Sequence, residues 1–167
     1  HLAISRVALP FPTWIDTMTK LLLIVMMVGV WSGCGKEIKV WKEEYSKDKV
    51  KEEYQYYHHP DDNRRIKDGW YNSYYENGES NETGRYKQDL KDGPWVWYFE
   101  SGKVKREGNF VDGKRDGKWA VYFESGKVDG EGTYVDGKKE GKRIGYYESG
   151  KVKWEKTFVD GKLEGKV

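Results

Sequence analysis

Two histidines and two aspartates lie close together in one polar segment, and their side chains are of types that bind metal ions. The segment contains His58, His59, Asp61 and Asp62, with Pro60 between the pairs. Imidazole and carboxylate groups suit zinc or manganese. A complete site needs further ligands, and the sequence has no second cluster of such residues. We therefore interpret the segment as a polar loop and predict neither a metal site nor a cofactor.

Serine and glutamate side chains recur at fixed positions, which is unlike a catalytic site. The serines are Ser101, Ser125 and Ser149, and each follows a glutamate. Catalysis needs one convergent arrangement of a nucleophile, a base and a group that orients the base. Equivalent serines without a histidine in their own unit do not provide one. We therefore predict that the protein has no catalytic residues and is not an enzyme.

The chain has a single cysteine, Cys34, which closely follows an apolar segment. The apolar run covers residues 21–30, whereas a membrane-spanning helix needs about 20 residues. Lys20 precedes the run, and Ser32 and Gly33 come directly before the cysteine. This arrangement is typical of a secretory signal peptide. It also resembles the lipobox of bacterial lipoproteins, in which the cysteine is acylated.

We predict that residues 18–33 are a lipoprotein-type signal peptide and that Cys34 is the lipid attachment site. Translation would then start at Met18, so that residues 1–17 would not be part of the native product. Gly35 follows the cysteine, which in a Gram-negative host is similar to an outer-membrane sorting signal. The predicted location is the bacterial cell envelope, with the lipid anchored in a membrane. The alternative is an ordinary signal peptide with an incidental thiol.

A pattern with a period of 24 residues runs through the rest of the chain. It begins with an acidic residue and a glycine, at residues 68–69, 92–93, 116–117, 140–141 and 164–165. An aromatic pair and a Glu-Ser-Gly or Glu-Asn-Gly turn follow in each complete unit. A second turn, Val-Asp-Gly-Lys, occupies residues 111–114, 135–138 and 159–162. Residues 68–167 are therefore four tandem units and a truncated fifth.

Each unit is predicted to be a β-hairpin. Its two glycine-containing turns separate two segments of about seven residues each, and both segments are rich in aromatic and β-branched residues. Asp-Gly and Asn-Gly between such runs are hairpin signals, because glycine adopts the positive φ that tight turns require. One hairpin is marginally stable, whereas hairpins in series share edges and stack their rings. We predict an all-β fold in which tandem β-hairpin repeats form an elongated single-layer antiparallel meander.

Residues 34–67 precede the array and match it only in part. Residues 45–56 align with residues 99–110, although an aspartate stands where the repeat has its turn glycine. Residues 58–65 then lengthen the connection, and Pro60 cannot donate a hydrogen bond to a β-ladder. We interpret this region as a linker that contains a degenerate half-repeat and a loop insertion.

Aromatic side chains are expected on both faces of the sheet. Neighbours such as Tyr122 and Phe123 point to opposite faces of a strand, and many of these rings should ladder against each other. Exposed contiguous aromatic surface marks an interface, and the tryptophans are the best candidates because they do not all share one offset in the repeat. The predicted partner contacts are Trp70, Trp95, Trp97, Trp119 and Trp154.

The distribution of charge argues against nucleic-acid binding. The net charge is +2, from 30 basic and 28 acidic residues, and the two signs are interspersed along the chain. Proteins that bind nucleic acids usually concentrate positive charge in a patch or stripe. We therefore predict no nucleic-acid partner.

Together these motifs resemble the MORN-repeat-variant family. The matching elements are the Asp-Gly-x-Trp start, the Tyr-Tyr/Phe-Glu-Ser/Asn-Gly-Lys turn and the Glu-Gly-x-Tyr/Phe-x-Asp-Gly-Lys ending. They cover residues 68–167 well and residues 41–67 loosely. The resemblance implies a β-meander that binds a protein partner. It further implies either a bacterial lipoprotein or the antitoxin component of a toxin–antitoxin module.

Three functions are open on the sequence alone. The leading hypothesis is a membrane-tethered lipoprotein that acts as a protein-interaction module through its repeat sheet. The first alternative is a protein that binds cell-wall or surface glycan, because the ring-rich segment 95–99 is similar to aromatic hairpins that stack on sugars. The second alternative is an antitoxin inside the cell, which requires that residues 18–34 do not direct export.

Overall fold

A computed structural model describes residues 36–46 and 49–165. The predicted signal peptide and Cys34 lie outside the described residues. Within them there is no helix long and apolar enough to cross a membrane. The strands are β1 Lys39–Ser46, β2 Lys49–His58, β3 Arg65–Tyr74, β4 Ser80–Lys87, β5 Leu90–Lys91, β6 Gly93–Tyr98, β7 Val104–Val111, β8 Lys114–Tyr122, β9 Val128–Val135, β10 Lys138–Tyr146, β11 Val152–Val159 and β12 Lys162–Glu164.

These strands form one sheet in which neighbours in space are neighbours in sequence. The order is β1-β2-β3-β4-β6-β7-β8-β9-β10-β11-β12, and the short β5 pairs with β4. Every pairing is antiparallel. Each hairpin therefore extends the sheet by pairing with the next hairpin. The prediction of an all-β antiparallel meander of tandem hairpins is confirmed.

The Val-Asp-Gly-Lys turns are two-residue hairpin loops. In the first of them φ is 47° at Asp112 and 80° at Gly113. Positive φ at both central residues defines a type I′ turn, whose twist matches that of the flanking strands. The same conformation recurs at residues 136–137 and 160–161. The hairpin prediction from these Asp-Gly pairs is therefore confirmed.

The Asp116-Gly117 pair that begins one unit lies inside β8, and its glycine belongs to a bulge. On β8, Asp116 pairs with Asn109 of β7. The next pair along the ladder joins Trp119 to Gly108, so two β8 residues between these pairs have no counterpart on β7. One of the two is Gly117, with a φ of 75°. Bulges bend a strand and increase its twist, so each unit carries a bend that its two turns alone would not give.

The region predicted as a linker contributes two strands to the sheet. β1 and β2 pair with each other, and β2 also pairs with β3 at the start of the array. The physical reason is burial of aromatic rings, since Tyr54 is 7% exposed and its ring centroid lies 6.2 Å from that of Tyr71. The loop insertion is present between β2 and β3, where Pro60 lies in a turn.

A ladder of aromatic rings forms the core of the sheet. Trp95 is fully buried, and its ring centroid lies 5.7 Å from that of Tyr71 and 5.8 Å from that of Trp97. Trp119 continues the ladder, 5.8 Å from Trp97. Aromatic pairs at such distances contribute about 0.5–1.5 kcal/mol beyond the burial of their area. The rings therefore supply the burial that a second layer supplies in other β folds.

Candidate interaction face

The sheet has two chemically different faces. Side chains alternate between faces along a strand, and cross-strand partners share a face. One face carries the ring ladder, including Trp95, Trp97 and Trp119, and we call it the aromatic face. The other carries tyrosines such as Tyr122 that donate hydrogen bonds to glutamates, and we call it the tyrosine–glutamate face.

Carboxylates on the tyrosine–glutamate face are held by neighbouring hydroxyls. The Tyr122 hydroxyl donates to a Glu107 oxygen at 2.6 Å, and the Tyr146 hydroxyl donates to a Glu131 oxygen at 2.7 Å. The hydrogen bond to Glu107, together with partial burial, raises the pKa of Tyr122 to about 12. This face is therefore organised by its own hydrogen bonds.

The five tryptophans predicted as partner contacts fall into two groups. Trp95 and Trp119 are buried, at 0% and 6% exposure. Because their rings are enclosed by the ladder, they present no surface to a partner, and we correct their role to that of core residues. Trp70 and Trp97 are half-buried, and Trp154 is 39% exposed. For these three the contact role stays a prediction. Trp70 is paired with Arg85 on β4 and therefore lies on the tyrosine–glutamate face, whereas Trp97 and Trp154 lie on the aromatic face.

One row of cross-strand neighbours on the aromatic face contains two of these tryptophans. We call this row the contact row, and it crosses the sheet from β6 to β11. The most exposed side chains in the contact row are Val121 and Trp154, at 37% and 39% exposure. Its members, in order, are Trp97, Arg106, Val121, Gly130, Gly145 and Trp154.

A glycine that no side chain covers leaves a shallow apolar trough in the contact row. A Cβ at Gly145 would lie 2.3 Å from the Trp154 indole, so this ring covers Gly145. A Cβ at Gly130 would meet only the Ile144 carbonyl oxygen at 3.2 Å and the Gly145 Cα at 3.8 Å. No side chain lies over Gly130, and Val121 flanks it on the other side. The trough therefore has room for an additional side chain.

Cationic side chains lie over the rings of the aromatic face. The Lys91 ammonium is 3.6 Å from the centroid of the Trp95 ring, and the Arg106 guanidinium is 4.0 Å from that of Trp97. Such contacts strengthen when they are shielded from water. Burial lowers the pKa of Lys91, although the ion pair with Glu82 at 3.3 Å opposes that shift. This face is therefore basic as well as aromatic.

The Tyr134 hydroxyl accepts hydrogen bonds from two arginines. Arg143 Nη1 lies 2.8 Å and Arg115 Nη1 3.0 Å from the hydroxyl oxygen. Burial acts to raise the pKa of Tyr134, but the hydrogen bonds and charges of Arg143 and Arg115 outweigh burial and hold the pKa below its usual value. This part of the aromatic face therefore stabilises negative charge on an oxygen atom.

Several residues of this face were not identified from the sequence. They include Arg106, Arg115, Arg143 and the uncovered Gly130. Arg106 could have been recognised from the sequence because it departs from the repeat: the equivalent residue of the preceding unit is Glu82. The consequence of that change appears only when the register places these residues beside each other.

The histidine-containing loop is held by local interactions. His58 Nδ1 lies 2.8 Å from the Asn63 carbonyl oxygen, and His59 Nδ1 lies 3.3 Å from an Asp62 carboxylate oxygen. Across residues 36–46 and 49–165, no group of three or more His, Cys, Asp or Glu side chains is arranged to hold a metal ion. The loop therefore connects β2 to β3 through contacts among its own residues.

No curated protein matches the chain. A solved structure of a TarM mutant from S. aureus, in complex with Fondaparinux, alpha-GlcNAc-glycerol and UDP, aligns at 15% sequence identity with a TM-score of 0.32. The alignment covers 74% of this chain and 20% of that one, so this chain spans about one fifth of the TarM chain.

The family model described as MORN repeat variant matches three consecutive segments. They are residues 91–112, 115–136 and 139–160. Each segment contains one Glu-Ser-Gly turn with the two strands that flank it, and each ends at the aspartate of the next Val-Asp-Gly-Lys turn. Repeats of this type indicate a binding module built from equivalent units. Residues 91–160 are therefore three tandem repeats of the MORN-variant type.

Proposed function

We propose that the protein is a non-enzymatic, membrane-tethered lipoprotein whose repeat sheet binds a protein partner through the aromatic face. The lipid is attached at Cys34, and the protein resides on the cell envelope, at the outer membrane in a Gram-negative host. The MORN-variant repeats support a binding role. They also support a non-enzymatic role, because equivalent units offer an extended surface and not one convergent site.

The observation that carries the proposal is the contact row with its trough. Trp154 and Val121 are exposed on a face whose other rings pack together, and the uncovered Gly130 lies between them. Tryptophan and arginine contribute most to the energetics of protein interfaces, above all beside pockets that receive a side chain. The contact row places Trp97 and Arg106 in line with Trp154. This composition supports a protein as the partner.

The geometry does not favour the glycan alternative. That alternative depends on the rings of segment 95–99, and stacking on a sugar needs a ring with an open face. Trp95 is 0% exposed, and Trp119, its counterpart in the next unit, is 6% exposed. Lys91 and Arg115 lie over these two rings, at 3.6 Å and 4.5 Å from their centroids. Trp97 of the same segment is half-buried, and the Arg106 guanidinium lies 4.0 Å from its centroid. We therefore do not propose glycan binding.

Replacing Trp154 with alanine is expected to abolish capture of the partner. The full-length chain with a C-terminal tag is purified from the membranes of its host, and mass spectrometry quantifies the proteins that accompany it. Loss of a central interface tryptophan costs about 2 kcal/mol or more, which weakens a complex roughly thirtyfold. Tyr45→Ala is the control, because it removes a ring that is 45% exposed on β1, far from the contact row. Equal recovery with Trp154→Ala and the parent would contradict the proposal.

Replacing Cys34 with serine is expected to abolish lipid attachment. Bacteria that express the chain from Met18 are grown with a fatty-acid analogue and then fractionated. The parent should be labelled and recovered with membranes, whereas Cys34→Ser should be unlabelled, because serine lacks the thiol that is acylated. An unlabelled parent in the soluble fraction would reject the tether. The antitoxin alternative would then become the first candidate for the same binding face.

A further inference from the structure

Two cations are neighbours on the aromatic face where the preceding unit has an ion pair. In that unit Lys91 pairs with Glu82 at 3.3 Å. The equivalent positions, 24 residues later, are Arg115 and Arg106, so a second cation replaces the acidic member. Burial and the charge of Arg115 both lower the pKa of Arg106. Like charges at partly buried positions repel each other unless an anion lies between them.

A third guanidinium completes the group, which we call the arginine cluster. Arg143 stands where the two preceding units have core tryptophans, and it shares the Tyr134 hydroxyl with Arg115. All three arginines are half-buried. Among the residues that the structure describes, none of the three forms an ion pair with a carboxylate. The charge of Glu82 also acts on Arg106, but Glu82 is already paired with Lys91. The cluster therefore concentrates positive charge that ion pairs within the described sheet do not neutralise.

An oxyanion is the chemical partner that suits the arginine cluster. Guanidinium groups bind carboxylates through paired hydrogen bonds, and such charge-assisted bonds are roughly twice as strong as neutral ones. The Tyr134 hydroxyl holds two of the guanidiniums in position. We propose that Arg106, Arg115 and Arg143 form an oxyanion site for side-chain carboxylates from an acidic segment of the protein partner. That a protein carries the anion rests on the proposed function.

The surroundings of the cluster favour a carboxylate side chain over a nucleic acid or a membrane surface. The Arg106 and Arg115 guanidiniums lie over rings, 4.0 Å from the Trp97 centroid and 4.5 Å from the Trp119 centroid. An anion must therefore reach in between side chains, which one aspartate or glutamate can do and a duplex or bilayer cannot. The net charge of +2 also gives little long-range attraction to a polyanion.

The arginine cluster and the trough are close enough to serve one partner segment. Arg106 belongs to both, since it is the neighbour of Val121 in the contact row. Adjacent strands lie about 4.8 Å apart, so Gly130, two strands from Arg106, is roughly 10 Å away. An extended peptide directs every second side chain to the same side, and residues two apart are roughly 7 Å from each other. The partner segment is therefore expected to combine an apolar residue with an acidic residue two positions away, whose side chain and that of Arg106 cover the remaining distance.

Two substitutions remove the cluster by restoring residues of the repeat. Arg106→Glu restores the acidic residue that the preceding unit has at Glu82, and Arg143→Trp restores the ring of the preceding units. Both substitutions are expected to leave the midpoint of thermal unfolding unchanged or to raise it by about 2–4 °C, because each removes an unpaired positive charge. Both are expected to weaken binding of a fluorescent peptide of alternating Glu and Ser by about tenfold or more. Fluorescence anisotropy with the full-length chain measures the affinity.

Arg85→Glu is the matched control. It makes the same change of charge at an exposed position on the tyrosine–glutamate face, and it should change the affinity for the peptide by less than about twofold. Equal binding of the peptide by the parent, Arg106→Glu and Arg143→Trp would overturn the proposal. Binding of anionic phospholipid vesicles that depends on Arg106, without binding of the peptide, would overturn it in favour of a lipid.

Capture of the natural partner separates this inference from the proposed function. If Arg106→Glu recovers the partner as well as the parent does, the oxyanion site is wrong and protein binding stands. If no partner is recovered while the peptide binds through Arg106, the oxyanion site stands and its assignment to a protein partner is wrong.

Discussion

Replacing Trp95 with alanine is expected to lower the free energy of unfolding by about 3–5 kcal/mol. The side chain is fully buried, its ring contacts Tyr71 and Trp97, and its indole N–H donates to the Arg85 carbonyl oxygen at 3.1 Å. A single-layer sheet has no second layer that could fill the resulting cavity. Urea denaturation followed by tryptophan fluorescence and circular dichroism measures the loss.

Tyr147→Ala is the control for this substitution. It also removes an aromatic ring, but Tyr147 is 52% exposed, and the expected loss is about 1 kcal/mol or less. Equal destabilisation by Trp95→Ala and Tyr147→Ala would show that the ring ladder is not the core. The account of how one layer of strands is stabilised would then fail.

Replacing Gly108 with alanine is expected to lower the free energy of unfolding by about 1–3 kcal/mol, because the core has no room for the added methyl group. The new Cβ would lie 2.2 Å from the Trp119 ring, which cannot move without disturbing Phe110 and Trp97. Gly108 has no positive φ, so the effect comes from contact with the ring and not from backbone strain. Thermal and urea denaturation measure it.

Gly130→Ala is the matched control for Gly108→Ala. Gly130 also lies in a strand without positive φ, but no side chain covers it, and an added Cβ would meet the Ile144 carbonyl oxygen at 3.2 Å in place of a ring at 2.2 Å. Alanine is itself preferred over glycine inside a strand, so the expected change is within about 1 kcal/mol of the parent. A loss at Gly130 as large as that at Gly108 would mean that the ring above Gly108 is not the cause.

The repeat pattern made most of the fold predictable. Asp112 and Gly113 lie between two runs of β-branched and aromatic residues, and this combination is specific for a tight hairpin. The period then fixes the strand order, because each hairpin pairs with the next. The bulge at residues 117–118 was not predictable, since an Asp-Gly pair is compatible with a bulge as well as with a turn. Only the register against β7 distinguishes the two.

Burial of individual tryptophans depends on residues far away in sequence. Trp95 and Trp119 each lie over a glycine of the neighbouring strand and are enclosed by further rings. Trp154 also lies over a glycine, Gly145, but the next residues in its row are glycine and valine. Its ring therefore stays partly exposed. The position of a tryptophan within the repeat does not predict whether its ring is buried, because burial depends on the residues beside it on neighbouring strands.

The arginine cluster was predictable only in part. Comparison of equivalent positions shows that Arg106 replaces an acidic residue and that Arg143 replaces a tryptophan. The sequence does not show that both lie near Arg115 on one face, because strand register and the bulge of each unit decide that placement. Residues that depart from a repeat at neighbouring positions are therefore the most informative ones for function.

Site-specific photo-cross-linking tests most directly whether the aromatic face binds the partner. A photoreactive amino acid is placed at Val121, which is 37% exposed on the aromatic face, or at Lys118, which is exposed on the tyrosine–glutamate face of the same strand. Irradiation of living cells is expected to yield a covalent adduct with one protein from Val121 and none from Lys118. An adduct from Lys118 and none from Val121 would contradict the assignment of the binding face.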